Sequence, residues 1–511
     1  MAQFFNQTPP TEAQKKNRDR FFLVVIFSLV FLMAIRSPLD NDMWWHLRAG
    51  ETTWQTGRPI LADIYSFTRY GTPWTNVYWL FQAGMYLLYR AGGFTLLAVM
   101  VALLAALSLI LLTFQMEGPV LFKGFLLILT ALVSSPVWSA RPQVGSLVLI
   151  SLVGYILYLY KWRRRDHLWA LIPIFILWAN THPGYVYGLM LIAAMLAGEV
   201  INHLVWPGSE ENLPWKAIFR LGLWGLAGGF ALLINPSGIR AWLLPFQTVG
   251  FNAVQFDISE WSSPNFHQFF QQPFIWMVLL TVIAIGFSQR RLDGSDLVVF
   301  AMFTYLSLVA RRNFGPFALA TTPILARYGW PALAGWEARI RGSVESLAAR
   351  LRLSPTLLTG LSATNDKRSR VINLSVFALL ALASAGRLGY ATSPSVMQAG
   401  LASTYPVSAL AWIEAHHPPG YLFNSYNWGG YLLWSERDYP VFVDGRTDIY
   451  GDAIINQWMT VANGNDGWQK ILDQWNIHLI LLEPGWPITQ KLTDYGWKIL
   501  YQNSNAMLFG R

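Results

Sequence analysis

The stretch Asp40-Asn41-Asp42-Met43-Trp44-Trp45-His46-Leu47-Arg48-Ala49-Gly50-Glu51 begins a few residues after an apolar segment, Phe21 to Ile35. Asp40, Asp42 and His46 place two carboxylates and an imidazole where a membrane surface is expected. Ionisable groups this close to hydrocarbon are costly unless they face water, a metal ion or a substrate. The stretch therefore predicts a membrane protein whose first loop takes part in chemistry.

The overall composition is typical of a protein that crosses the membrane many times. Of the 511 residues, 54% are hydrophobic and 13% are charged, whereas about 25% of residues are charged in soluble domains. Much of the net charge of +9 lies in short basic clusters between apolar segments, as membrane topology requires, so nucleic acid is not an expected partner. The chain has no cysteine, which excludes disulfides, thiol catalysis and cysteine-based metal sites.

Eleven apolar segments are candidate spans, since a crossing needs roughly 20 apolar residues. They centre on 21–36, 94–114, 119–136, 143–161, 168–181, 184–205, 217–235, 272–288, 296–311, 315–329 and 371–387. The shorter apolar stretch 77–89 predicts an interfacial or re-entrant helix. If 77–89 does not cross, the basic N-terminal stretch and the clusters 161–165 and 289–291 all lie inside, in agreement with the positive-inside rule.

This topology predicts two domains. A helical transmembrane domain covers 1–387, with an outer first loop over 37–93 that contains interfacial helices. A small extracytoplasmic α/β domain covers 388–511, and the polar connection 353–370 is the expected flexible segment. The domain's predicted elements are strands at 421–423, 441–443 and 478–482, helices at 430–434 and 468–475, and a closing hairpin over 496–509.

Asp40 and Asp42 are the first candidates for chemistry. They are one residue apart, so in an extended loop their side chains point the same way. One could accept a proton from an acceptor hydroxyl, which is worth about 10²- to 10⁴-fold in rate. Alternatively, the pair could hold a divalent cation through its oxygens, or Asp40 and Asp42 could lie in an ordinary solvated loop with an Asp cap on a helix over 43–53.

Four nearby side chains have simpler interpretations. Trp44 and Trp45 are expected in the aromatic belt at the headgroup level. His46 could ligate a metal, bind a phosphate or satisfy a local hydrogen bond. Asp63 is a second acid of the first loop, and its expected role is to cap a turn.

Arginines on the predicted outer side run against the positive-inside bias and need an explanation. Arg141, Arg240, Arg311 and Arg312 could bind a lipid phosphate, because a guanidinium contacts phosphate oxygens bidentately and keeps its charge. The alternative is snorkelling to headgroups. The Arg311-Arg312 pair is the strongest candidate, because it interrupts an apolar sequence. His182, at a helix end, either lines the same cavity or makes a structural hydrogen bond.

The C-terminal domain carries polar residues where strands are predicted to end, a usual place for binding sites in α/β domains. Trp428 lies in one such segment, before two glycines that permit close backbone approach. Asp444 and Arg446 lie in another. One interpretation is acceptor recognition by these three residues, and the other is tight turns with Asp444 and Arg446 in a structural ion pair.

Together these residues resemble the GT-C class of membrane glycosyltransferases, and more closely a bacterial branch of that class. The resemblance rests on Asp42 with Trp45-His46-Leu47 and Gly50, on Arg141-Pro142-Gln143, on Arg312-Asn313, and on Asn427-Trp428-Gly429-Gly430-Tyr431 with Asp444-Gly445-Arg446. It covers nearly the whole chain. It implies a multi-span helical fold with a soluble outer C-terminal domain, in the cytoplasmic (inner) membrane of a bacterium. The distribution of basic residues predicts that the N-terminus is inside.

The resemblance also implies an activity. Members of the class typically transfer a sugar, with inversion, from a polyprenyl-phosphate or polyprenyl-diphosphate carrier to a glycan, lipid or protein acceptor. Asp42 or Asp40 would be the general base or a metal ligand, with His46 as support, so a divalent cation is a possible cofactor. The segment from Tyr426 is faintly similar to the W-W-D-Y-G element of oligosaccharyltransferases. Since Asn427-Trp428-Gly429 replaces its Trp-Trp-Asp, sequon recognition does not carry over.

The leading hypothesis is therefore a membrane glycosyltransferase that binds a lipid-linked donor among membrane lipids, with Asp42 as the best catalytic candidate. The alternative is a non-enzymatic scaffold or assembly subunit whose outer domain binds a partner, since composition and topology fit both. A transporter is a third option. It is disfavoured because no acidic relay is evident within the spans, where Glu199 lies near a cytoplasmic end.

Overall fold

The computed structural model describes residues 12–249, 259–350 and 367–511. Most of the predicted flexible connection 353–370 lies outside these ranges. The described chain is mainly helical and ends in a small sheet. Its first thirteen helices are α1 (Glu12–Ala34), α2 (Asn41–Thr56), α3 (Trp79–Thr113), α4 (Val120–Ser134), α5 (Gln143–Trp162), α6 (Leu171–Ala179), α7 (Tyr185–Val205), α8 (Trp215–Ala231), α9 (Ile239–Val249), α10 (Gln272–Phe287), α11 (Gly294–Val309), α12 (Phe314–Arg350) and α13 (Lys367–Ala391).

Each of the eleven predicted spans coincides with helical structure. Among the described residues, six helices are long and apolar enough to cross a membrane: α3, α4, α5, α7, α10 and α13. Two more, α6 and α11, are apolar but shorter. The polytopic helical fold is thus confirmed, whereas the count of eleven crossings stays a prediction.

The apolar stretch 77–89 continues into the next predicted span through a kink. Helix α3 runs for 35 residues, but Gly92 and Gly93 have non-helical backbone angles. Gly93 has a φ of +59°, a left-handed value that a residue with a Cβ rarely adopts. The stretch before Gly92 and the span after Gly93 are therefore two differently directed segments, as expected if only the second crosses.

A buried charge cluster, not foreseen from the sequence, lies at one end of the bundle. Lys161 of α5 is ion-paired with Glu199 of α7 and, at 2.5 Å, with Asp293 just before α11. Beside them, Arg327 of α12 is paired with Asp296 at 2.5 Å. Because this cluster lies at one end of the bundle, the interpretation that no acidic relay lies within the spans stays a prediction. Each acid in this cluster has a basic partner, as burial of charge requires.

The C-terminal domain contains five helices and four strands. The helices are α14 (Pro394–Thr404), α15 (Val407–His416), α16 (Tyr426–Ser435), α17 (Thr447–Ala462) and α18 (Trp468–Gln474), and the strands are β1 (Tyr421–Asn424), β2 (Ile477–Leu482), β3 (Lys498–Gln502) and β4 (Met507–Gly510). The sheet order is β1-β2-β4-β3, with β1 parallel to β2 and the other pairs antiparallel. The predicted strands at 421–423 and 478–482, the two helices and the hairpin are confirmed. The boundary at 387 lies within α13 and stays a prediction.

The predicted strand 441–443 is wrong, because the Asn424 side chain replaces a backbone partner by accepting from the Phe442 N–H and donating to the Val443 carbonyl, both at 2.8 Å. Val441 makes only isolated parallel bridges in the described structure, to Leu422 and to Ser66. The backbone N–H of Phe67 donates to the Val441 carbonyl at 3.2 Å, and the Thr68 hydroxyl donates to the Phe442 carbonyl at 2.7 Å. The first loop therefore extends the edge of the C-terminal sheet.

The aromatic-belt interpretation of Trp44 and Trp45 is also wrong. These side chains are 2% and 5% exposed, within a core that continues from the helical bundle into the C-terminal domain. Trp44 packs edge-on against Tyr405 and Tyr431, with ring centroids 5.8 and 5.0 Å apart. The tryptophans thus attach α2 to the C-terminal domain instead of facing lipid headgroups.

Candidate active site

The first acidic residue begins α2. Asp40 is the N-cap, and its Oδ1 accepts a hydrogen bond from the backbone N–H of Asp42 at 2.9 Å. Aspartate is favoured here because it satisfies an N–H that the first helical turn leaves unpaired. The Asp cap expected from the sequence is confirmed, with a helix over Asn41–Thr56. Asp42 lies in the first turn, where its Oδ1 accepts from Nε1 of Trp45 at 3.0 Å.

The centre of the site is a single guanidinium that contacts three carboxylates. Nε of Arg141 lies 3.1 Å from Oδ2 of Asp40, and Nη1 lies 2.8 Å from Oδ2 of Asp42. Nη2 pairs with Oε1 of Glu260. We call Asp40, Asp42, Glu260 and Arg141 the carboxylate–arginine cluster. Three segments that are distant in sequence therefore meet at one point.

Arg141 is held in place by the turn before α5. Its Nε donates to the Ser139 hydroxyl at 3.0 Å, and the same hydroxyl accepts from the Gln143 side chain at 3.1 Å. The Arg141 side chain is 16% exposed. Lys161, of the buried charge cluster, lies at the other end of α5, about 30 Å away for a helix of 20 residues. The two charge clusters are therefore at opposite ends of the bundle.

Glu260 joins this cluster to the predicted phosphate-binding arginines. The next residue, Trp261, has the guanidinium of Arg312 over its ring at 4.1 Å from the centroid, a cation–π contact. The backbone N–H of Arg311 donates to the Ser262 carbonyl at 3.1 Å. Burial alone would raise the pKa of the Glu260 carboxyl, but Arg141, Arg312 and Arg311 outweigh it and hold that pKa below its usual value.

Asp42 differs electrostatically from Glu260. Burial raises the pKa of its carboxyl to about 6, more than Arg141 lowers it, and the neighbouring charge of Asp40 adds to the increase. The side chain is nevertheless 26% exposed. A partly exposed carboxylate with a pKa near 6 is suited to taking up a proton.

His182 lies in the electric field of two of these arginines. Burial, followed by Arg312 and Arg141, lowers its pKa to about 3, so the ring is neutral. Its Nδ1 accepts from the backbone N–H of Gly184 at 2.9 Å and lies 2.8 Å from the Ser146 hydroxyl. An accepting Nδ1 places the ring proton on Nε2. His182 therefore makes the structural hydrogen bond that was one alternative and keeps an Nε2–H donor.

His46 is a buried, neutral residue behind the site. It is 3% exposed, and its Nδ1 lies 3.2 Å from the side-chain nitrogen of Gln82. Its ring stacks on Trp45 with centroids 3.5 Å apart. Burial, followed by the charge of Arg141, lowers the pKa of His46 well below its usual value. These contacts match the local-hydrogen-bond interpretation, and its catalytic support stays a prediction.

The C-terminal domain forms a wall of the site through two glycines. A Cβ added to Gly445 would overlap Oδ1 of Asp42 and lie 3.0 Å from Nε1 of Trp45. A Cβ on Gly430 would lie 2.6 Å from the carbonyl oxygen of Asn41. The domain's backbone thus approaches the start of α2 as closely as only glycine permits.

Asp444 and Arg446 are completely buried behind this wall. Arg446 pairs with Asp444 and, through Nη1, with Asp63 of the first loop, both at 2.6 Å. All three side chains are at most 1% exposed. We call them the interdomain ion cluster. Asp63 also caps the turn that follows it, by accepting from the backbone N–H groups of Tyr65 and Ser66, as expected.

Two other predicted binding residues lie elsewhere. Trp428 is 1% exposed, and its Nε1 donates to the Thr404 carbonyl at 2.9 Å. Arg240 is exposed in the first turn of α9. Within the described ranges, no ion pair joins Arg240 to the three carboxylates of the carboxylate–arginine cluster. A substrate-binding role for Trp428, Arg240, Asp444 or Arg446 stays a prediction.

Sequence reasoning missed two residues of the site. The role of Glu260 depends on a contact with Arg141, which is 119 positions away in the sequence. Gly445 carries no functional group. The available signal for Glu260 was an acid beside an aromatic residue in the polar stretch Ser259-Glu260-Trp261.

Comparison with known proteins identifies solved structures with a similar fold. No family model and no curated protein sequence matches the chain. The archaeal oligosaccharyltransferase AglB from Archaeoglobus fulgidus, solved with an inhibitory peptide and a dolichol-phosphate, is similar with a TM-score of 0.56 at 13% identity, over 92% of this chain and 70% of that one. The apo form of the A. fulgidus oligosaccharyltransferase gives 0.50 at 11% identity, over 90% and 69%.

A third solved structure is ArnT from Cupriavidus metallidurans bound to undecaprenyl phosphate. It has a TM-score of 0.48 and 13% identity, and the match covers 95% of this chain and 97% of that one. At these identities, the similarity to the A. fulgidus structures concerns the fold. The predicted GT-C-like fold, with a helical membrane domain and a small C-terminal sheet domain, is confirmed.

Proposed function

We propose that this protein is an integral-membrane glycosyltransferase that moves a sugar from a polyprenyl-phosphate or polyprenyl-diphosphate carrier to an acceptor, with inversion, on the outer face of a bacterial cytoplasmic membrane. The observation that carries the proposal is the carboxylate–arginine cluster, which unites the first-loop acids with Glu260, next to Arg312. The fold shared with AglB, which was solved with a dolichol-phosphate, supports a lipid-linked donor.

In this proposal Asp42 is the general base. Its carboxyl is 26% exposed, and with a pKa of about 6 it is ionised at neutral pH. It takes the proton from the acceptor hydroxyl as the oxygen attacks the sugar's anomeric carbon, and the carrier phosphate leaves from the opposite face. Arg141 keeps the carboxylate oriented through Oδ2, and Trp45 holds Oδ1.

The donor phosphate is assigned to Arg312, with Arg311 beside it. Arg312 is half-buried at the turn between α11 and α12, with its guanidinium against Trp261. A guanidinium in this position can supply charge-assisted hydrogen bonds to a phosphate. The Nε2–H of neutral His182, whose pKa responds to Arg312, is a further donor in the same region.

Arg312→Ala is expected to weaken binding of undecaprenyl phosphate by about 10- to 100-fold, since a hydrogen bond to a charged group contributes about 1.5–3 kcal/mol. Titration of the lipid into purified protein in nanodiscs measures the affinity. The matched control is Arg290→Ala, which removes a 44%-exposed arginine paired with Glu117 and should leave the affinity unchanged. Unchanged affinity in Arg312→Ala would remove Arg312 from the donor site.

The pH dependence of transfer should have an acidic limb near pH 6. Burial raises the pKa of Asp42 from its ordinary value to about 6, so the base becomes protonated as the pH falls through 6, and kcat/KM falls with it. At higher pH Asp42 is already ionised, so its titration causes no further increase in kcat/KM. Initial rates measured across this range check the prediction, and a rate that is constant down to pH 4.5 would contradict it.

Gly445→Ala should lower kcat by about 10²-fold, because the added methyl displaces the Asp42 carboxylate and a shift of about 1 Å can cost that much. The control is Gly485→Ala in the same domain, where a Cβ meets nothing within 4 Å. Transfer assays, with thermal unfolding as a check on folding, compare the two variants. Equal rates in both would show that the close contact at Gly445 does not position Asp42.

A further inference from the structure

The family resemblance implies Asp42 or Asp40 as the general base or a metal ligand, but each of the four carboxylate oxygens of this pair already has a partner. Oδ1 of Asp40 accepts from the Asp42 N–H at 2.9 Å, and Oδ1 of Asp42 accepts from Trp45 at 3.0 Å. The two Oδ2 atoms lie 3.1 and 2.8 Å from nitrogens of Arg141. No oxygen of the pair is left without a hydrogen-bonding or ionic contact.

This donor set does not suit Mg²⁺ or Ca²⁺, which take about six or more oxygen ligands at roughly 2.0–2.6 Å. Within residues 12–249, 259–350 and 367–511, no group of three or more His, Asp or Glu side chains is arranged to hold a metal ion. Asp40, Asp42 and Glu260 do converge, but they converge on the Arg141 guanidinium. The residues of the carboxylate–arginine cluster therefore do not fit the divalent cation that the family resemblance implies.

Arg141 has the properties that a resident cation of this cluster needs. Three of its nitrogens face three different carboxylates, and Ser139 fixes Nε. A guanidinium keeps its charge at every physiological pH. Without it, three converging acids would repel each other, and their pKa values would rise until some became protonated.

We propose that Arg141 is the built-in cation of the carboxylate–arginine cluster and replaces a divalent metal ion there. The charge balance and orientation that a metal would give to Asp42 come from the protein itself. The inference makes two statements. The first, that glycosyl transfer needs no added metal ion, rests on the proposed function. The second, that the three carboxylates hold Arg141 and not a metal ion, does not depend on any reaction.

The test is Mn²⁺ binding to the full-length protein, freed of metal beforehand and followed by the electron paramagnetic resonance signal of free Mn²⁺. Wild type should bind no stoichiometric Mn²⁺. Arg141→Ala leaves three uncompensated carboxylates and should bind one Mn²⁺ at least about tenfold more tightly than wild type, since Mn²⁺ no longer competes with charge-assisted hydrogen bonds. Arg141→Lys keeps a cation and should behave as wild type does.

Two results would overturn the inference. One is stoichiometric Mn²⁺ binding by wild type that Asp42→Asn removes. The other is a folded Arg141→Ala variant that binds no more Mn²⁺ than wild type does. If Arg141→Ala does not fold, the Mn²⁺ titration of the wild-type protein decides whether the inference holds.

Turnover provides a separate readout. EDTA should leave the wild-type transfer rate unchanged, and a rate lost in EDTA and restored by Mn²⁺ would count against the inference. If no lipid-linked sugar is transferred at all, the proposed function fails while the Mn²⁺ result still stands.

Discussion

Asp42→Asn is expected to lower kcat for glycosyl transfer by about 10²- to 10⁴-fold, the contribution of a positioned general base, with the protein still folded. The amide is almost the same size as the carboxylate and can still accept the hydrogen bond from Trp45. It cannot take up a proton from the acceptor hydroxyl. The acidic limb near pH 6 should disappear from any residual activity, because the group that produces it is gone.

Two further variants test whether the loss of activity is specific to Asp42. Asp466→Asn changes an exposed aspartate of the C-terminal domain and should retain wild-type rates. Asp40→Asn retains a good N-cap while removing one charge beside Arg141, so a smaller loss than in Asp42→Asn is expected. Full activity in Asp42→Asn would exclude Asp42 as the base, and a larger loss in Asp40→Asn would transfer that role to Asp40.

Arg446→Ala is expected to destabilise the protein by about 3–5 kcal/mol, the usual consequence of removing one partner from a buried ion pair. It leaves Asp63 and Asp444, both fully buried, without their shared cation. Asp63 belongs to the first loop and Asp444 to the C-terminal domain. Repulsion between their carboxylates therefore pushes the first loop away from the C-terminal domain. Since Gly445 lies beside Arg446 and contacts Asp42, transfer activity should fall as well.

Chemical unfolding of the purified protein in detergent measures this loss, with tryptophan fluorescence as the signal. The matched control is Arg220→Ala, whose arginine is 58% exposed and paired with Asp166 at 2.8 Å, where a loss of about 0–1 kcal/mol is expected. If Arg446→Ala were as stable as Arg220→Ala, the interdomain ion cluster would not hold the first loop to the C-terminal domain.

Local features of the fold could be predicted from the sequence because they depend on nearby residues. Apolar length indicated the helices, and Asp40 before an amphipathic stretch indicated an N-cap. The alternation of apolar residues around Asn503 indicated the closing hairpin, where Oδ1 of Asn503 accepts from two backbone N–H groups of the turn. Each of these depends on contacts within a few positions.

The remaining features depend on contacts between distant segments. Val441 resembles a strand residue, but its pairing includes Ser66 of the first loop, which no local pattern predicts. The sequence around Trp44 is typical of a membrane interface, but in the structure the C-terminal domain covers this side chain. In the candidate site, Asp40, Asp42 and Arg141 were identified from charges at an expected membrane surface. Glu260 was not, because its partner is 119 positions away.

A structure of the protein in lipid nanodiscs with undecaprenyl phosphate, determined by cryo-electron microscopy, tests the central claim most directly. The proposed function predicts a phosphate in contact with the guanidinium of Arg312, on the side facing the carboxylate–arginine cluster, with the polyprenyl chain leaving toward the membrane. Phosphate density at another part of the surface, or its absence at a saturating lipid concentration, would contradict the assignment of this cluster as a lipid-linked glycosyl-transfer site.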